Sequence, residues 1–197
     1  MSTTLAPFGL RPVFHPNGRG AAMAYPGGIT SGYATAIYRY TPVYLDTNLA
    51  TSQIRVAAAS GADFIGSFAG VEYTTTLGNR VYSPYWPASQ AASDIVAYVY
   101  DDPQTIFEAQ ADGTLAQTAL GDQANFSLTS GYTVGAGSTT TGNSSCALSI
   151  TLAGAGTQAM VRIINKSFQV GNDWADTYTR VWVQVARHQY VSNKVAI

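Results

Sequence analysis

The chain has 197 residues and a mass of 20.8 kDa, room for one well-filled core, alone or with an extended arm, but crowded for two domains. Only 11% of its residues are charged, against about 25% in ordinary globular chains. Ten basic and eleven acidic residues leave a formal net charge of -1, and no cluster of Lys and Arg supplies the phosphate-neutralising surface of a nucleic-acid binder.

A polar but uncharged chain with 13 Tyr suits a protein held against other protein, although Thr- and Tyr-rich composition is also ordinary in all-β folds. The charges fall in blocks. Only Arg11, Arg19 and Arg39 precede Asp46, whereas Asp94, Asp101, Asp102, Glu108, Asp112 and Asp122 occupy the stretch between Arg80 and Arg162 without a basic residue. Such blocks either neutralise one another within one fold or guide subunits together. Cys146 is the single cysteine, which excludes an internal disulfide and a Cys-rich metal site, and its apolar run CALSITL makes it a buried small hydrophobe. The N-terminus lacks the pattern of a secretory leader and no apolar run is long enough to cross a bilayer, so synthesis in the cytoplasm and no membrane partner are expected.

In chain order, residues 1–35 come first, with Pro7, Pro12, Pro16 and Pro26 among six glycines, a density that forbids helix or central strand. This segment is expected to run as an extended arm. Leu5, Phe8, Leu10, Val13, Phe14, Met23 and Tyr25 anchor it in a groove of its own chain or of a neighbour. In ATAIYRYTPVYL, Ile37, Val43 and Leu45 alternate with Tyr38, Tyr40 and Tyr44, and Pro42 limits the strand to an edge or a break. QIRVAAA and DFIGSFAGVEY are further strands, with Gly66 and Gly70 marking bulges or bends. The span 74–90 is expected to be loop. Its YSPYWPAS stretch, with Tyr82, Tyr85 and Trp86, is either a packed Ω-like loop or a contact surface.

DIVAYVY, apolar on both faces, predicts a covered or central strand, and DDP followed by QTIFEAQ predicts a tight turn and a second strand, together a hairpin. TLAQTALG allows one helical turn ending at Gly121. Residues 129–145, almost pure Gly, Ser and Thr, predict a long flexible loop unless a partner orders it. CALSITL, QAMVRIIN and RVWVQVARHQY complete the set. In the last, Val181, Val183 and Val185 face inward and Arg180, Trp182 and Gln184 outward. The whole is all-β, a β-sandwich or barrel of about seven to nine short strands over residues 36–197, with a jelly-roll-like arrangement among the options.

Catalytic, cofactor-binding and metal-binding constellations are not expected. His15 and His188 lack a metal-ligand spacing, GITSG has Thr where a nucleophile elbow needs Ser, and AGAGTQ does not complete a phosphate-binding glycine fingerprint. Asp101, Asp102, Glu108 and Asp112 fit turn chemistry better than a glycosidase pair or a calcium loop, so the protein is not expected to be an enzyme.

The segment YVYDDPQTIFEAQADG resembles the D-P-x-x-x-F-E-x-Q-x-D-G pattern of capsid decoration (cement) proteins of tailed phages, with Asp102, Pro103, Phe107, Glu108, Gln110, Asp112 and Gly113 matching. Gly121, Gly142, Ser144 and Leu148 continue the likeness, as do the opening APFGLRPV and the closing strand with His188 and Tyr190. Asp122 and Gln123 depart from it. The resemblance is close over the central segment and loose elsewhere. It implies a homotrimeric virion protein on the outer capsid surface that clamps major capsid protein subunits, with no catalytic residues, cofactor or nucleic acid. Phe8, Arg11, Phe14, Arg19 and Tyr25 of the arm and Tyr82, Tyr85 and Trp86 of the aromatic loop are the candidate contacts to capsid or sister subunit. A glycan-binding or host-attachment domain, suggested by Trp86, Trp174, Trp182 and the tyrosines, and a tail or head-completion protein are the alternatives.

Overall fold

The computed structural model describes residues 3–18, 20–47, 53–154 and 156–191. Among the described residues, twelve strands form two antiparallel sheets in a sandwich-like arrangement, with a single 3-10 turn at Gln117–Ala119. The first sheet runs β1 (Arg11–Phe14), β8 (Ile106–Gln110), β12 (Arg180–Val185), β11 (Val161–Lys166), β9 (Gln123–Phe126), β10 (Leu148–Leu152). The second runs β2 (Met23–Pro26), β7 (Ala92–Tyr100), β5 (Gly66–Thr75), β3 (Pro42–Asp46), β4 (Gln53–Val56), with β6 (Arg80–Ser83) pairing the later half of β5. Strands as short as the four residues of β1, β2, β4, β6 and β9 carry too few alternations to show in a sequence, which is why there are more than nine.

The alternation in β12 holds residue for residue: Val181, Val183 and Val185 are buried while Arg180, Trp182 and Gln184 are only half-buried. Each sheet carries its own buried cluster. Phe107, Phe126, Leu148, Met160 and Ile163 join the β12 valines in one. Phe68, Val71, Ile95, Ala97 and Val99 form the other, closed by Ile29, Ile37 and Trp86 from connecting segments. Phe64, Phe68, Phe107 and Trp86 have no exposed surface, and burying each such side chain contributes about 1.5–3 kcal/mol.

Several local expectations change in three dimensions. β7 and β8 do not pair with each other: β7 lies between β2 and β5 of the second sheet, and β8 between β1 and β12 of the first. Asp101–Thr105 therefore crosses between sheets as an arch and not as a hairpin turn. The span 74–90 is only partly loop, since β5 extends to Thr75 and turns back into β6 through Leu77 and Gly78. The Gly/Ser/Thr-rich residues 129–145 are tied by their own chain: Ala147 N–H donates to Tyr132 O, Ser145 N–H to Ala136 O, and Arg39 N–H to Gly142 O, each at 2.9 Å.

Other expectations hold. Pro42 opens β3, where a missing N–H is tolerated, and Tyr40 with φ 69° breaks the chain just before it. The β5–β7 register shifts between Phe68 and Gly70, a bulge at one of the two marked glycines. Gly66 has φ 147°, and a Cβ there would lie 1.9 Å from the Tyr100 carbonyl oxygen, so close strand approach requires glycine. β1 and β2 are edge strands, the one sheet position a Pro-rich segment can occupy. β1 and β2 thus supply one edge to each sheet, and the segments beside them place Leu10 and Ile29 in the two cores.

Candidate interaction surface

The N-terminal stretch lies across the outer face of β8. Gln110, fully buried, accepts the Ala6 amide at 2.9 Å and donates to Thr4 O at 2.9 Å. Glu108, 1% exposed, accepts from the Arg11 guanidinium and from the Ser167 hydroxyl. The Phe8 ring sits between two guanidinium groups, 4.7 Å from that of Arg11 and 5.8 Å from that of Arg180. An outward-facing Glu and Gln in a strand are thereby converted into the sockets that hold residues 4–11 in place.

The Asp101–Thr105 arch is held as densely. Asp102 Oδ1 accepts the Gln104 amide at 2.7 Å, the expected Asx turn, and its Oδ2 lies 3.1 Å from His15 Nε2. These contacts hold its carboxyl below the usual range, the Gln104 bond contributing most. The Tyr25 hydroxyl donates to Asp101 Oδ2 at 2.6 Å and lies 2.8 Å from the Tyr190 hydroxyl, and burial followed by these bonds pushes the Tyr25 phenol far above its ordinary value. His188 Nδ1 accepts the Tyr190 amide at 3.2 Å, so its proton resides on Nε2, 2.8 Å from Asp101 O. Burial lowers the His188 pKa and favours the neutral ring.

Asp112 departs from simple turn chemistry. It accepts the Ser127 hydroxyl at 2.6 Å and the Ile150 amide at 3.1 Å, while its own N–H donates to Leu148 O at 2.8 Å. With the Ala111–Leu148 bridge, this clasp ties the β10 edge back to the chain leaving β8, so the first sheet curls toward closure. Gly113 leaves room for Ile150, which a Cβ would meet at 3.2 Å. Asp102, Phe107, Glu108, Gln110, Asp112 and Gly113 of the central segment therefore each hold the fold together.

The eight candidate contacts separate. Phe8 and Arg11 adjoin, and Phe14 follows on the same strand, exposed beside Val13. Tyr25 is engaged at the arch. Tyr82 is exposed on β6, its ring centroid 6.2 Å from that of Tyr98, whereas Tyr85 is half-buried and stacked on Tyr38 at 5.7 Å. Trp86 is wholly interior, edge-on to Tyr73 at 5.4 Å, and is no surface residue. Arg19 lies outside the described residues. Among the exposed apolar side chains that the sequence left unmarked are Phe168, T-shaped on Trp182 at 5.0 Å, and Val170. An apolar residue in a turn-rich run such as SFQVGND was their only signal. Val13 and Phe14 on β1 and Met23 on β2 are exposed as well, on the edge strands of the two sheets.

Among the described residues no group of three or more His, Cys, Asp or Glu could hold a metal ion, and no helix is long and apolar enough to cross a membrane. Comparison with protein-family models, with curated proteins and with solved structures returns no match.

Proposed function

We propose that the protein is a structural virion component that decorates the outer surface of a tailed-phage capsid and stabilises it by bridging major capsid protein subunits, acting as a homotrimer. The observation that carries this reading is the exposure of Val13, Phe14 and Met23 on the two sheet-edge strands nearest the N-terminus, in a chain with little surface charge. Edges whose single charge, Arg11, is already paired with Glu108 and which carry exposed apolar side chains suit strand addition and pocket filling by a protein partner. The resemblance of the central segment to decoration proteins supports the same partner. Three linked copies would turn weak edge contacts into strong avidity.

The glycan-stacking alternative retains little of its aromatic basis: Trp86 is interior, Trp174 packs against the first core, and Trp182 is half-buried.

Deleting residues 1–30 would strip an edge strand from each sheet, so point substitutions are the cleaner test. Phe14→Ser with Met23→Ser is expected to leave the circular dichroism spectrum unchanged and to weaken co-sedimentation with undecorated shells about tenfold or more, by loss of two buried apolar anchors. Undiminished retention of the double variant would overturn the edge-contact reading.

A further inference from the structure

A row of side chains crosses three strands on the outer face of the first sheet. Gln184 of β12 faces Arg162 of β11, and Arg162 faces Gln123 of β9. Their sequence neighbours Val183, Val185, Val161 and Ala124 fill the core, so the row points outward. With Gln158 and the arch residues Asp102 and Gln104 it lines a groove.

Two features distinguish this groove from ordinary polar surface. First, three of its amides are each fixed at one end by the backbone. Gln184 Nε2 donates to Pro103 O at 3.0 Å, Gln158 Nε2 donates to Ala186 O at 3.4 Å, and Gln123 Oε1 accepts the Ala159 amide at 2.8 Å. A carbonyl partner or an N–H partner dictates which end of the amide it meets. Gln184 and Gln158 therefore keep a carbonyl acceptor uncommitted, and Gln123 keeps its NH2 donors. Second, Arg162 is exposed and is the one described Lys or Arg whose side chain makes no ion pair, hydrogen bond or ring contact, although two glutamines flank it. Arg11, Arg55, Arg80, Lys166 and Arg187 pair with carboxylates, Arg39 lies over Tyr40, and Arg180 meets Gln169 and Phe8.

We propose that this groove binds a saccharide bearing a carboxylate, with Arg162 holding the carboxylate and Gln123, Gln158 and Gln184 meeting the ring hydroxyls. A sugar hydroxyl both donates and accepts, which matches a wall of fixed donors and fixed acceptors. A planar guanidinium takes a carboxylate through two parallel bonds. Acidic peptide is the poorer fit, because the backbone groups of a sheet face are consumed in the ladder and leave an extended chain no main-chain partners. The site does not depend on capsid decoration.

The test is a titration of the 15N-labelled full chain at about 0.15 M salt, where exposed charges are screened over about 8 Å, with tri-galacturonate, neutral maltotriose and tri-glutamate. Tri-galacturonate is expected to shift the side-chain amide signals of Gln123, Gln158 and Gln184 saturably. Its affinity in Arg162→Gln should fall about tenfold or more, the loss expected for a charge-assisted bidentate contact. Gln184→Leu should weaken binding less and leave the Arg162 signal responsive. No saturable shift, an equal response to tri-glutamate or to maltotriose, or an unchanged affinity in Arg162→Gln would each overturn the assignment.

Discussion

The Arg11–Glu108 pair makes an asymmetric prediction. Glu108 is 1% exposed and Arg11 40%, so the two ends differ in what their loss leaves behind. Arg11→Met strands a buried carboxylate with only the Ser167 hydroxyl, and breaking a buried pair in this way costs about 3–5 kcal/mol. Glu108→Gln keeps the volume, and the half-exposed guanidinium can turn to water, so the cost is about 1–2 kcal/mol, that of a weakened hydrogen bond. In the double variant no charge is stranded, and its stability should lie close to that of Glu108→Gln alone. For a chain of this size about 2–4 °C accompanies each kcal/mol, so Arg11→Met should lower Tm by about 6–20 °C. Urea unfolding of the four proteins closes the cycle, and hydrogen exchange at residues 4–11 reports whether the N-terminal stretch loosens first. If Arg11→Met proves no more damaging than Glu108→Gln, or if the two effects simply add, the pair does not anchor this segment.

Gly66→Ala places a methyl group 1.9 Å from the Tyr100 oxygen and should cost about 3 kcal/mol or more, whereas Gly78→Ala, with φ 82° and open space, should cost only about 1–2 kcal/mol; equal thermal shifts would refute the close-approach argument. Because burial lowers the folded-state pKa of His188, the unfolded chain binds the extra proton. The stability this ring contributes is complete above about pH 6.5 and is lost as pH falls through the lowered value. Asp101 and Asp102 face the ring and limit the loss. Urea midpoints between pH 7.5 and 5 should fall with acidification in the parent and fall less in His188→Gln. Cys146 is fully buried and its thiol pKa is raised by burial, so a thiol reagent at pH 8 should label it only on the timescale of unfolding; rapid labelling of native protein would contradict its placement.

What could be read from the chain was local. The valines of β12, the first-position proline of β3, the bulge near Gly70 and the Asx turn at Asp102 follow from residue type and period, and each is present. Pairing is not local. DDPQT is compatible with a hairpin or an arch, and what decides is that Tyr98 pairs with Ala24 on one side and Gly70 on the other. The aromatic loop could not show which ring turns inward, because Trp86 is drawn into the core by its bridge to Ile37, distant in sequence. Period alone sets Glu108 and Gln110 opposite Phe107 and Ala109, and it does not show that residues 4–11 cover them. The isolation of Arg162 is likewise a statement about distances across three strands, and no spacing in the sequence encodes it.

The proposal of capsid decoration is tested most directly by electron microscopy of native shells lacking the protein, before and after its addition in purified form. Added density on the outer surface, grouped in threes around local three-fold positions with the β1 and β2 edges against the shell, is the predicted result. Shells that remain bare, or density confined to the tail or to a single vertex, would contradict it.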